Sequence, residues 1–174
     1  MIQPIYLYGA DVLRRKAEEI DITDKKGVKA LVQDLKDTLA EAEGCGLAAP
    51  QIGVSKRVVI VDGTDMTDMY DYLKDFRRTL INPRIIAQSD NFCTFNEGCL
   101  SIPGEFGVVK RPQHVKVKAQ DRDGNWFEVE GEGLTARAFC HELDHLEGTL
   151  FVDRASRMLT NEELKELGIA EDAD

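Results

Sequence analysis

The spacing of apolar residues changes sharply at Gly44. Over residues 25–43 they recur at three- and four-residue steps, behind Thr23 and Asp24 as helix-capping candidates. Beyond Gly44 the apolar residues fall into short or alternating runs, at 58–61, 79–86, 92–95, 115–119 and 126–129. The chain is therefore predicted to form one amphipathic helix that Gly44 ends, followed by a series of strands.

Turn and capping signals complete the predicted layout. The dipeptide Asp123-Gly124 between the last two runs is a strong hairpin signal, which predicts antiparallel strands. A second helix is predicted over residues 134–146, ending at Gly148, and Thr160 or Asn161 can cap a short C-terminal helix. The predicted fold class is α+β, with antiparallel strands around the second helix.

Composition limits the classes of function. No repeat or Gly/Ser linker divides the 174 residues, so a single domain over 1–174 is predicted. The formal net charge of -10 repels phosphate backbones and anionic lipids, which argues against direct nucleic-acid or membrane binding. The chain has no apolar run of membrane-spanning length and does not begin like a signal peptide, so a cytoplasmic protein of bacterial type is expected.

The segment His-Glu-Leu-Asp-His at 141–145 is the sharpest chemical signal. On a helix, His141 and His145 lie on one face and can both bind one metal ion. Glu142 is then placed beside the ion, where it can act as a general base without coordinating. Two of the three histidines of the chain lie in this segment, which favours a metal site over a surface helix that carries them by chance.

A catalytic ion usually takes a third protein ligand and one water, and the motif alone leaves that ligand open. A peptidase of the extended type is disfavoured because Phe151 occupies its third ligand position. The remaining candidates are a carboxylate near the C-terminus, His114, and a cysteine in a Gly-flanked segment. His114 is more typical of a surface position, and Cys140 of a small buried side chain. The candidate carboxylates and cysteines are Glu162, Glu163, Glu166, Glu171, Cys45 and Cys99.

Two further motifs decide how the helix motif is interpreted. Residues 44–51 read Gly-Cys-Gly-Leu-Ala-Ala-Pro-Gln and residues 97–101 read Glu-Gly-Cys-Leu-Ser. Alone, the first could be a helix end with a tight turn and the second a bulged strand edge. In this order with 141–145, the sequence resembles the peptide deformylases, whose motifs are Gly-x-Gly-Leu-Ala-Ala-x-Gln, Glu-Gly-Cys-Leu-Ser and His-Glu-x-Asp-His. The resemblance extends over nearly the whole chain.

The resemblance implies a metal-dependent hydrolase that removes the formyl group from N-formylmethionine on nascent polypeptides and releases formate. It implies a metal held by Cys99, His141 and His145, with Glu142 as general acid and base. The metal implied is Fe²⁺, for which Zn²⁺, Ni²⁺ or Co²⁺ can substitute. Ligand chemistry alone would suggest Zn²⁺, because one cysteine and two histidines suit both metals.

The resemblance also assigns residues around the metal. The Gln51 side chain and the Leu100 backbone N–H are implied as donors to the oxygen of the attacked carbonyl. Glu97 corresponds to a buried carboxylate that pairs with an arginine, here Arg111. Gly46 removes a side chain where a close approach is expected. An apolar pocket for the methionine side chain is expected, with Ile52, Leu100, Phe106 and Leu134 as its walls.

Three departures from the family pattern affect the surroundings of the site. The acidic stretch at 63–78 is longer than in many relatives and affects the rim of the cleft. Phe106 stands where some relatives carry an arginine. The tail after Leu167 is short and acidic, so it is not expected to dock on the ribosome, although transient proximity to the ribosome is compatible with a nascent-chain substrate.

Two alternatives belong to other classes of protein. A His-Glu-x-x-His metallopeptidase would use a carboxylate as third ligand and would keep its metal without Cys99. A non-catalytic module with a structural metal would bind the ion through four protein ligands and would not need Glu142.

Overall fold

A computed structural model describes residues 1–63 and 76–168. The first predicted helix is confirmed as α1, Lys25–Ala42. The Asp24 side chain caps it by accepting a hydrogen bond from the Gly27 N–H, and Glu43 ends it in a left-handed conformation (φ 56°). Its apolar stripe packs against the inner face of the first strands. The acidic tail 169–174 and most of the 63–78 stretch lie outside the described residues.

Strands occupy the middle of the chain, as predicted. They are β1 Gly46–Ala48, β2 Val58–Asp62, β3 Arg77–Gln88, β4 Phe92–Cys99, β5 Ile102–Pro112, β6 His114–Gln120, β7 Trp126–Glu132 and β8 Arg157–Met158. In the described part of the chain they form a five-stranded sheet in the order β1-β2-β3-β6-β7 and a three-stranded sheet in the order β4-β5-β8. Every pairing between these strands is antiparallel, and Gly124 (φ 88°) forms the predicted hairpin between β6 and β7.

The second predicted helix has the predicted bounds, α2 Leu134–Leu146. It is buried on most of its surface and packs against the five-stranded sheet through residues such as Phe139, Leu143 and Leu146. Two short helices follow, α3 Phe151–Arg154 and α4 Asn161–Glu166, and the Thr160 side chain caps α4 as predicted. The α+β class with antiparallel strands around α2 is confirmed, and no helix among the described residues is long and apolar enough to cross a membrane.

The eleven-residue strand β5 is the main element that the sequence analysis did not predict. It contains Pro103, Gly104 and Gly107, residues that normally indicate turns, and these hide the alternating burial of its second half. The strand forms because eight of its eleven residues pair with β4. A register shift between Gly98 and Cys99 turns the chain at the end of β4, as the bulged-edge interpretation of this motif expected.

Candidate metal centre and its cavity

Three side chains that can bind a metal converge between the two sheets. Cys99 is the last residue of β4, and His141 and His145 lie one turn apart on α2. Their ligand atoms all lie within 4.8 Å of one another, and Cys99 Sγ is 3.4 Å from His145 Nε2. The chain thus brings together the three residues that the family resemblance named.

The donor set fits a divalent ion. In a tetrahedral site with bonds of about 2.1 Å to nitrogen and about 2.3 Å to sulfur, ligand atoms lie about 3.6 Å apart. His141 Nδ1 lies 2.5 Å from Glu97 Oε1, and because an ionised carboxylate only accepts, Nδ1 carries the proton. His141 Nε2 is then the nitrogen left to bind a metal, an arrangement common in protein metal sites.

Glu142, the residue after His141 on α2, lies beside this group. It is buried, and its Oε1 atom has no hydrogen-bond partner among the described residues. Burial raises the pKa of Glu142 to about 7. A β-carbon at Gly46 would overlap Glu142 Oε2, so the missing side chain at position 46 makes room for the carboxylate.

Gln51 lies in a 3-10 turn, Ala49–Ile52, and its amide has two roles. Its Oε1 accepts a hydrogen bond from the Ala48 N–H at 3.0 Å, which fixes the turn. Its Nε2 donates to Ser101 Oγ at 3.1 Å and points at Cys99 Sγ, 3.5 Å away. The carbonyl end therefore stabilises the loop, while the amino end is directed at the metal site.

A buried ionic network supports His141 through Glu97. Arg111 on β5 binds Glu97 through Nε (3.2 Å) and Nη2 (2.7 Å), as the resemblance implied, and binds Asp144 through Nη1 (2.6 Å). Arg137 on α2 adds a second cation, with Nη1 2.7 Å from Glu97 Oε2. Burial alone would raise the pKa of Glu97, but hydrogen bonds from His141 and Arg111 hold it well below its usual value.

Arg137 and the ion pair between Arg111 and Asp144 belong to this network, but neither was predicted from the sequence. Arg137 is four residues before His141, so the helical period alone would have placed both side chains on one face. Nothing in the sequence showed that this face meets Glu97, because that contact depends on how α2 packs against β4.

A cavity of about 600 Å³ opens beside these groups. His141 and Glu142 reach it from α2, and Gln51, Cys99 and Glu97 also line it. Its apolar wall includes Leu100, Phe106 and Leu134, as expected. Ile52 was expected there too, but it packs in the core beneath α1, because the 3-10 turn directs it away from Gln51.

Among the described residues, the converging ligand group contains none of the other third-ligand candidates. Cys45 lines the cavity but does not belong to that group, and Glu171 lies outside the described residues. The half-exposed ring of His114 is 3.6 Å from Glu130 on the outer face of the larger sheet, in keeping with the surface position expected. Glu163 pairs with Arg157 on the surface at 2.8 Å. Cys140 is buried, as expected for a small core side chain. A peptidase with a carboxylate ligand is therefore not favoured.

Comparison with known proteins agrees with the site. A family model described as polypeptide deformylase matches residues 2–161. The peptide deformylase of Caldicellulosiruptor bescii is 44% identical over 165 residues, which cover 95% of this chain and 92% of that protein. A crystal structure of the Thermotoga maritima peptide deformylase has a TM-score of 0.80 at 35% identity, covering 90% of this chain and 99% of that one.

A second similar crystal structure contains a peptide. It is a class I type b peptide deformylase from Acinetobacter baumannii bound to Met-Ala-Ser, with a TM-score of 0.78 at 34% identity over 88% of this chain and 98% of that one. The matches extend over almost the whole length of these proteins, and the three motifs meet in one cavity. The chain therefore belongs to the polypeptide deformylase family, metal-dependent hydrolases (EC 3.5.1.88) that remove the formyl group from N-formylmethionine at the start of new polypeptides.

Proposed function

We propose that this chain deformylates N-formylmethionyl peptides and nascent chains with a divalent ion held by Cys99, His141 and His145. The observation that supports the proposal is the convergence of these three ligands beside a buried Glu142 whose Oε1 has no hydrogen-bond partner among the described residues. A thiolate and two neutral imidazoles leave one net positive charge on a dication, which suits a hydrolytic site.

Fe²⁺ is the metal we propose, with Zn²⁺, Ni²⁺ or Co²⁺ able to replace it. The family resemblance supports iron, and the ligand set suits both iron and zinc. When bound, the ion supplies Lewis acidity that lowers the pKa of water to roughly 7.

The protein residues orient the formyl group and move protons. Gln51 Nε2 and the Leu100 N–H donate hydrogen bonds to the formyl oxygen, where negative charge develops as water adds to the carbon. The Glu142 carboxylate takes a proton from that water and delivers it to the amine nitrogen as the C–N bond breaks. Formate and a free amino terminus are the products.

The cavity supplies the substrate pocket. Leu100, Phe106 and Leu134 present apolar surface next to the metal ligands, which suits a methionine side chain. Met-Ala-Ser bound to the Acinetobacter baumannii relative supports a peptide that begins with methionine.

The proposal also covers the domain organisation, the cellular location and the contact with the ribosome. We assign residues 1–174 to one deformylase domain, place it in the cytoplasm, and expect it to approach the ribosome only transiently while it processes emerging chains. The formal charge of -10 supports the absence of direct RNA binding.

Formate release from formyl-Met-Ala tests the proposed function. Protein purified without oxygen is compared with the same protein reloaded with zinc, and the metal content of each sample is measured. We expect formate from both, with a higher kcat/KM for the anaerobic sample if iron is the native metal. A folded, metal-loaded protein that releases no formate under either condition would refute the proposal.

A further inference from the structure

Arg137 is a buried cation that clamps together the two elements carrying the metal ligands. Its side chain is only 8% exposed, although it lies on α2 one turn before His141. Nη1 donates to Glu97 Oε2 at 2.7 Å, and Nη2 donates to the Cys93 carbonyl at 2.9 Å. Both acceptors belong to β4, the strand that ends in Cys99.

Arg137 also completes the hydrogen bonding of Glu97. Glu97 Oε1 accepts from Arg111 and from His141 Nδ1, while Oε2 accepts from Arg111 and Arg137. Two donors on each oxygen leave the carboxylate little freedom to rotate. The imidazole that donates to Oε1 is therefore held in one orientation.

Arg137 is needed as a second cation because Arg111 is shared between Glu97 and Asp144. The Arg111 guanidinium contacts both Glu97 and Asp144, so its charge is divided between two carboxylates. Asp144 has another cation, Arg154, which binds it from the surface at 2.6 Å. Arg137 gives Glu97 the corresponding additional cation, within the buried part of the network.

We propose that Arg137 is a positioning residue of the metal centre, which acts through Glu97 on His141 and through β4 on Cys99. This inference rests on the proposed function, because it takes His141 and Cys99 as ligands. Groups that orient a metal ligand typically change metal affinity about 10- to 100-fold when they are removed. Lysine could supply the charge beside Glu97, but its single ammonium does not match the two directed contacts of arginine.

Zinc affinity, measured by competition with a chromophoric chelator, tests the proposal without relying on activity. We expect Arg137→Met to weaken Zn²⁺ binding about 10- to 100-fold and Arg137→Lys to recover most of that loss. Arg154→Met is the matched control, because Arg154 is half-exposed and binds the far carboxylate, Asp144. Its affinity should stay within about threefold of wild type, as expected for an exposed ion pair.

The visible absorption of the Co²⁺-loaded proteins gives a second reading of ligand geometry. We expect the bands of Arg137→Met to shift and those of Arg154→Met to match wild type. Wild-type affinity and spectrum in Arg137→Met, or an Arg137→Lys variant as weak as Arg137→Met, would overturn the proposal. If Arg137→Met does not fold, Arg137→Gln replaces it, and equal zinc affinities for Gln and Lys would overturn the proposal as well. A wild-type protein that binds no zinc would instead refute the metal centre itself.

Discussion

Gly46 on β1 and Glu142 on α2 lie so close that a β-carbon at position 46 would overlap the Glu142 carboxylate. Gly46 of one motif thus makes room for the Glu142 carboxylate of another, although the two residues are 96 positions apart in the chain. The contact links the shape of β1 to the position of Glu142, the proposed general base.

Gly46→Ala should therefore displace Glu142 and lower kcat/KM by at least about tenfold, because general acid and base catalysis contributes roughly 10²- to 10⁴-fold. Metal content should be unchanged, because the atoms nearest to a β-carbon at Gly46 belong to Glu142, which is not a proposed ligand. Steady-state kinetics with formyl-Met-Ala and metal analysis check this. Cys45→Ala, at the neighbouring position, should retain activity within about threefold, and equal losses in both variants would contradict the prediction.

Glu142→Gln should abolish most activity while leaving the metal in place. The amide keeps the size of the side chain but cannot take a proton, so kcat should fall roughly 10²- to 10⁴-fold. Metal analysis beside single-turnover formate release separates the two effects. Activity within tenfold of wild type would argue for a module in which Glu142 has no catalytic part.

Cys99→Ala should empty the metal site. The thiolate is one of three ligand groups within 4.8 Å of one another, and two imidazoles alone hold a divalent ion weakly. Metal content after dialysis against a weak chelator measures the loss. Cys140→Ala is the control, because Cys140 is a buried core residue beside His141. A Cys99→Ala protein that keeps one equivalent of metal would favour a peptidase-like site.

Gln51→Ala should lower both stability and kcat, because the side chain has two roles. Loss of the Oε1 acceptor leaves the buried Ala48 N–H unpaired, which costs about 1–3 kcal/mol of unfolding free energy. Loss of the Nε2 donor should lower kcat roughly 10²- to 10³-fold. Urea unfolding and kinetics at saturating substrate measure the two effects. If stability falls but kcat does not, Gln51 stabilises the loop and takes no part in catalysis.

Glu97→Ala should destabilise the fold strongly, because it leaves Arg111 and Arg137 buried without their shared carboxylate. Breaking a buried pair from one side costs about 3–5 kcal/mol. Glu163→Ala, which removes the surface partner of Arg157, should leave the Tm nearly unchanged. Thermal unfolding of the metal-free proteins checks both predictions. Equal Tm values for Glu97→Ala and Glu163→Ala would contradict the conclusion that Glu97 stabilises a buried ionic network.

Local sequence determined the helices and most of the strands. The three- and four-residue period and the Asp24 cap were sufficient for α1, and the bounds of α2 were predicted to the residue. The spacing of His141 and His145 also required only a helix. These features were predictable because they depend on residues within one or two turns of each other.

Tertiary structure decided the features that join distant segments. Strand β5 exists because it pairs with β4 in spite of its proline and glycines, and Ile52 points into the core because of the turn that presents Gln51. Cys99 could be chosen as third ligand only through family resemblance, and the Arg137–Glu97 contact could not be foreseen at all. Such contacts depend on how sheets and helices pack against each other. That packing cannot be deduced from the spacing of residues along a single helix or strand.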